Sequence, residues 1–132
     1  MKFVQTDYLS RKTVLKFPDH VVAVAVMVDD TGIVANAEGK KIVPAGTTIG
    51  GVSASALANE EQLVCEKNSD GVAGAAGAAV DAEGVLLNDA DVTYGPAPGS
   101  MVIHGFVDLG KLPEMPHENA VKALAGRVVF LT

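Results

Sequence analysis

Val21-Val22-Ala23-Val24-Ala25-Val26-Met27-Val28 is the stretch on which the fold turns. Five of its eight residues are valine. A side chain branched at Cβ is stiff at χ1 and suits a pleated surface better than a helix. An apolar run of this length, closed by the turn-forming Asp29-Asp30-Thr31-Gly32, predicts a strand buried on one or both faces. It is also the longest uninterrupted apolar run, and a membrane-spanning helix needs about 20 such residues.

Downstream, short apolar pieces alternate with turn signals. Ile33–Asn36 is predicted as a short strand, Ala37–Lys40 as a turn, Lys41–Val43 as a strand and Pro44–Thr47 as a second turn. This spacing describes a β-meander. Gln62–Lys67 fits either a strand or a helix end. Gly71–Val80 (GVAGAAGAAV) is of low complexity; its small residues suit a flexible loop or a close approach of backbones.

The last third is the best patterned. Gly84–Asn88 opens a strand that Asp91–Thr93 extends or re-enters, and Gly95–Gly99 (GPAPG) reads as a turn. Ser100–Val107 is a strand whose internal Gly105 predicts a bulge or a close backbone approach. A short helix is expected from Pro116, with proline at its first position, an apolar stripe of Val121 and Leu124 with Ala120 and Ala123, a Glu118–Lys122 pair and Gly126 as the stop. Arg127–Leu131 closes the chain as a strand.

Upstream, residues 1–18 form an N-terminal arm. Phe3, Val4, Tyr8, Leu9, Val14, Leu15 and Phe17 are scattered with neither a helical nor a strand period, and Pro18 ends the stretch. Two readings stand: a ragged terminus, or a segment that orders on a partner. The remainder, 19–132, is one β-rich domain. The fold class is therefore mainly β (α+β), with one short C-terminal helix and an extended arm.

Composition restricts the partners. The chain has 132 residues, 48% of them apolar, enough for one core and incompatible with general disorder. Aromatic residues are 5% and tryptophan is absent, so the core is built from Val, Ala, Leu and Ile. A net charge of −6, with no basic patch, argues against nucleic-acid binding. The scattered charges of the first residues argue against a signal peptide, and nothing suggests a membrane partner. The single Cys65 fits a reducing compartment and reads as an inert thiol. A soluble protein made in a cytoplasm is expected.

Catalytic templates fail on spacing. Gly32 and Gly39-Lys40 resemble a phosphate-binding loop, but six residues separate the glycines where four are needed, and position 41 is lysine. Gly51-Val52-Ser53-Ala54-Ser55 resembles a nucleophile elbow but ends in serine where the tight turn favours glycine. His20, His104 and His117 have no metal-ligand spacing among themselves or with Cys65. Asp89 and Asp91 could face one cation on an extended chain, yet the other ligands of a calcium loop are missing, and turn chemistry accounts for both. No catalytic residue, cofactor or metal is expected, and the chain does not read as an enzyme.

Gly39-Lys40-Lys41-Ile42-Val43-Pro44-Ala45-Gly46-Thr47 with Gly50-Gly51, then Glu83–Thr93 (EGVLLNDADVT), then Gly99–Asp108 (GSMVIHGFVD), then Lys111-Leu112-Pro113 with a closing helix and strand, form an ordered pattern. It resembles the head decoration proteins of tailed bacteriophages, the lambda-type capsid-cementing family. The likeness covers roughly 33–50 and 80–132. It implies a small decoration-type β domain that assembles as a homotrimer on the outer capsid surface, made in the host cytoplasm and bound to the major capsid protein. It also implies that the arm orders against the capsid, with Phe3, Val4, Tyr8 and Phe17 as candidate contacts. The alternatives are another virion component, a head-fibre base or a tail-tube subunit, or a small ligand-binding β-module in which His104, Asp89 and Asp91 would converge in a polar pocket.

Overall fold

A computed structural model describes residues 14–67 and 82–132. The expected contacts Phe3, Val4 and Tyr8, and the Gly71–Val80 segment, lie outside the described residues. The described part is mainly β, with eight strands and one short α-helix. The strands are β1 (Val21–Val28), β2 (Ile42–Val43), β3 (Thr48–Gly51), β4 (Leu63–Glu66), β5 (Gly84–Leu86), β6 (Ala90–Asp91), β7 (Ala97–Asp108) and β8 (Val128–Leu131), with α1 (Glu118–Leu124) before β8.

The larger sheet has the order β1-β4-β3-β5-β7-β8, and β1 also pairs with β7. That last pairing closes five strands into a barrel and leaves β8 as an extension of β7 on the edge next to β5. Side chains on a strand alternate between faces. Val26 and Val28 of β1, Ile49 of β3, Val64 of β4, Leu86 of β5 and Met101 of β7 therefore fill the barrel. The β2–β6 ribbon adds Val43 and Ala90 to this core, with Val92 beside them. Gly99 lies in the barrel wall, where a Cβ would sit 3.1 Å from a Leu86 methyl and 3.3 Å from one of Val28.

β7 is the spine. One edge carries β1 and, past it, residues 14–16: Leu15 bridges Val107, Lys16 N donates to Phe106 O and Asp108 N to Val14 O. The other edge carries β5 and then β8. The register slips by one residue where Val22 opposes His104 but Ala23 opposes Val102. The extra residue, Ile103, makes a β-bulge, and a bulge flips the side chains beyond it to the other face. Val102 and Val107 thus lie on one face despite their odd spacing, and His104 and Phe106 are carried to the opposite one. The Val107 face is covered by α1, whose Ala120 and Leu124 pack with Val14, Ala82, Val85 and Val128 into a second core.

Several elements differ from the sequence expectation. Ile33–Asn36 is not a strand: Asn36 Oδ1 accepts the backbone N–H groups of Glu38 and Lys40, which folds the segment into a loop. The turn expected at Gly95–Gly99 is shifted towards the N-terminus, with Gly95 N donating to Val92 O, and Pro98 and Gly99 belong to β7. Pro116 precedes the helix instead of starting it, because His117 caps α1, its Nδ1 accepting from Asn119 N at 3.1 Å. Val121 is 40% exposed, since the buried face of so short a helix runs through Ala120 and Leu124. Gly126, at φ +82°, follows α1 as expected. Gln62–Lys67 resolves as a strand.

Candidate functional site

The face opposite α1 carries Phe17 and Phe106. Phe106 projects from β7, and Phe17, 50% exposed, meets it edge-on with ring centroids 5.5 Å apart. His20 lies 5.6 Å from Phe106 and 4.9 Å from His104, and the Nε2 atoms of the two histidines are 2.9 Å apart. Val22, opposite His104, is 49% exposed, and Val129, opposite Phe106, is 41% exposed. The result is an apolar patch studded with imidazoles.

This face is where the arm joins the domain. Of the four candidate contacts, Phe17 is the one within the described residues, and it lies on the patch. The two residues before Lys16 are not free: Val14 and Leu15 are buried, and their backbone extends the sheet along β7. Sequence alone did not bring Phe17, His20, Val22, His104 and Phe106 together, because their meeting depends on the β1–β7 pairing and on the bulge.

A second feature is a groove of about 340 Å³ at the mouth of the barrel, lined by residues including Ile33, Ile42, Thr47, Thr48, Glu66 and Glu114. Burial pushes the Glu66 carboxyl up, and Glu114, charged nearby and hydrogen-bonded to it, pushes it further. His104, Asp89 and Asp91 do not line this groove. Asp89 Oδ1 accepts from Ala45 N at 2.7 Å and holds the preceding turn. Asp91 accepts from the backbone and hydroxyl of Thr93, which hold its carboxyl below the usual range. Asp89 serves a turn and Asp91, the last residue of β6, caps the residues that follow it, and the convergence expected of a ligand-binding module is not formed.

No spacing in the sequence marks Glu83 as a structural centre. Its buried carboxylate accepts from Gly51 N at 2.8 Å, from Ala56 N at 2.9 Å and from the Ser55 hydroxyl. Burial alone would raise this carboxyl, but the Ser55 hydroxyl and the N–H groups of Ala56, Gly51 and Leu57 outweigh it and hold it below its ordinary value. The arrangement pins the loop after β3 to the barrel wall. Ser53, in the same loop, is exposed, and it is Ser55, not Ser53, that bonds to the carboxylate.

Cys65 is half-buried in β4, and burial pushes its thiol up, more than the nearby Lys67 pulls it down. Among the described residues no group of three or more His, Cys, Asp or Glu side chains is placed to hold a metal, and no helix is long and apolar enough to cross a membrane. No family model, curated protein or solved structure matches the chain.

Proposed function

We propose that the protein is a structural component of a tailed-phage virion, binding the outer capsid surface as a homotrimer and stabilising the shell. The observation that carries this reading is the exposed Phe17–Phe106 face with Val22 and Val129, placed where the N-terminal arm enters the sheet. A small domain with two compact cores has no internal use for such a patch, and contiguous exposed apolar surface marks interaction sites. The resemblance of 39–51, 83–93 and 99–113 to the decoration family supplies the partner. Closed cyclic symmetry would let copies cover apolar surface without forming open fibres. The acidic chain is suited to the outside of a shell packed with nucleic acid, where it has no phosphate to bind.

The role needs a stable scaffold and a multivalent contact in place of reaction chemistry. Three linked arms would bind with an effective concentration that a single arm lacks. Co-sedimentation with emptied, expanded capsids tests the reading, alongside native mass spectrometry of the free protein. Trimers that saturate the capsid surface are expected. Six-fold rings would favour a tail-tube subunit, and a monomer that leaves capsids undecorated would overturn the proposal.

A further inference from the structure

We infer that His20 and His104 form a two-imidazole site for a divalent transition-metal ion with tetragonal preference, Cu²⁺ or Ni²⁺. The inference does not depend on the capsid reading.

Geometry carries it. The two Nε2 atoms converge to 2.9 Å from segments far apart in the chain. For metal–nitrogen bonds of about 2.0–2.1 Å, ligands at a right angle lie about 2.9 Å apart, whereas a tetrahedral ion sets them at about 3.3–3.4 Å. That separation suits two adjacent corners of a square-planar or octahedral ion once each ring turns its Nε2 from its neighbour towards a common point. Tetrahedral Zn²⁺ would have to open it by about 0.4 Å. The general affinity order of nitrogen sites, which peaks at copper, points the same way.

Both donors are held in place. His104 directly follows the bulged Ile103, and the bulge is what turns its ring towards Val22 and His20. His20 N donates to Phe17 O at 3.3 Å, which closes the turn leading into β1. The His20 carbonyl lies so close to β7 that a Cβ at position 105 would sit 3.1 Å from it, so the approach relies on Gly105. Phe106 packs on the His20 ring from the side.

Without an ion, one Nε2–H donates to the other Nε2. An ion takes the place of that proton, which moves to Nδ1 of the same ring, so both imidazoles stay neutral and coordinate through Nε2. His20 is exposed, which leaves the remaining positions open to water. With two protein ligands the site is weaker than a four-ligand structural centre.

The full-length protein, labelled with ¹⁵N and titrated with Cu²⁺, tests this through its imidazole resonances, together with calorimetry using Ni²⁺ and Zn²⁺. Substoichiometric Cu²⁺ should broaden the His20 and His104 rings before that of His117. Ni²⁺ should bind once per chain, more tightly than Zn²⁺. Its affinity should fall by about tenfold or more in His20→Gln and in His104→Gln and stay unchanged in His117→Gln. Glutamine can keep a cross-strand hydrogen bond, and the thermal midpoint of each variant reports whether its fold is intact. Simultaneous broadening of all three rings, or Ni²⁺ isotherms that coincide for the parent and the two variants, would overturn the site. Zn²⁺ binding as tight as Ni²⁺ would overturn its geometry.

Discussion

Glu83 Oε2 accepts the Gly51 backbone N–H at 2.8 Å and so ties the residue before β5 to the end of β3. The same carboxylate takes Ala56 N and the Ser55 hydroxyl, so its removal leaves these donors without it. Glu83→Ala should destabilise the protein by about 3 kcal/mol, since each buried donor left unpaired costs about 1–3 kcal/mol. The folded carboxyl titrates below its ordinary value, so its stabilising contribution is complete above that value and is lost as pH falls through the folded pKa. Urea denaturation from pH 6 to pH 3 should show a decline that is shallower in Glu83→Gln.

Leu124 has no exposed surface, and Val121, one turn earlier at the edge of the buried face of α1, is 40% exposed. Leu124→Ala should cost about 2–5 kcal/mol. Val121→Ala should stay within about 0.5 kcal/mol, as surface substitutions do. Chemical denaturation of the two variants measures both, and equal effects would show that the helix is seated on a different face.

Gly84 forms part of the barrel wall so closely that a Cβ would lie 2.4 Å from Met101 Cγ and 2.5 Å from Val102 O. The methionine side chain can shift but the carbonyl cannot. Gly84→Ala should therefore cost about 1–3 kcal/mol, the usual penalty of overpacking. A thermal midpoint equal to that of the parent would mean that β5 and β7 can separate without loss.

Cys65 should alkylate slowly in the folded protein, because the thiolate is the nucleophile and burial disfavours it. Iodoacetamide labelling at pH 8 should accelerate sharply on adding denaturant. Cys65→Ser should leave assembly intact and change stability by no more than about 1–2 kcal/mol.

Truncation separates the arm from the domain. Removing residues 1–13 leaves the pairing of 14–16 with β7 and should preserve the fold while greatly weakening capsid binding. Removing 1–17 also takes Val14 from the second core and Leu15 from its bridge to Val107, and should lower stability measurably. Circular dichroism and capsid co-sedimentation of both variants provide the check. Full decoration by the shorter truncation would refute the role of the arm.

Much of the fold was legible locally. Val21–Val28 declares itself by its branched side chains, and α1 by Ala120, Leu124 and Gly126. Ile33–Asn36 misleads because its apolar residues suit a strand while Asn36 captures the backbone needed to pair one. The patch was legible only as Phe17. Its other members are set by long-range register, and a single extra residue at Ile103 decides which face His104 and Phe106 occupy. Glu83 carries no local signal, because a buried carboxylate is recognisable only once the N–H groups around it are placed.

The closure of the barrel by β1 against β7 has a consequence for biosynthesis. On a ribosome, Val21–Val28 emerges long before Ala97–Asp108, its principal partner, has been made. Contacts of such sequence separation form slowly, because the intervening loop must be closed first. During that interval the nascent chain offers a valine-rich strand with an unpaired edge, the kind of segment that recruits other chains. Parallel pairing with Leu63–Glu66 spans only two positions of the strand and shields little of it. The vulnerable period ends when β7 is released, so the yield of folded protein should depend on how quickly the last third of the message is translated.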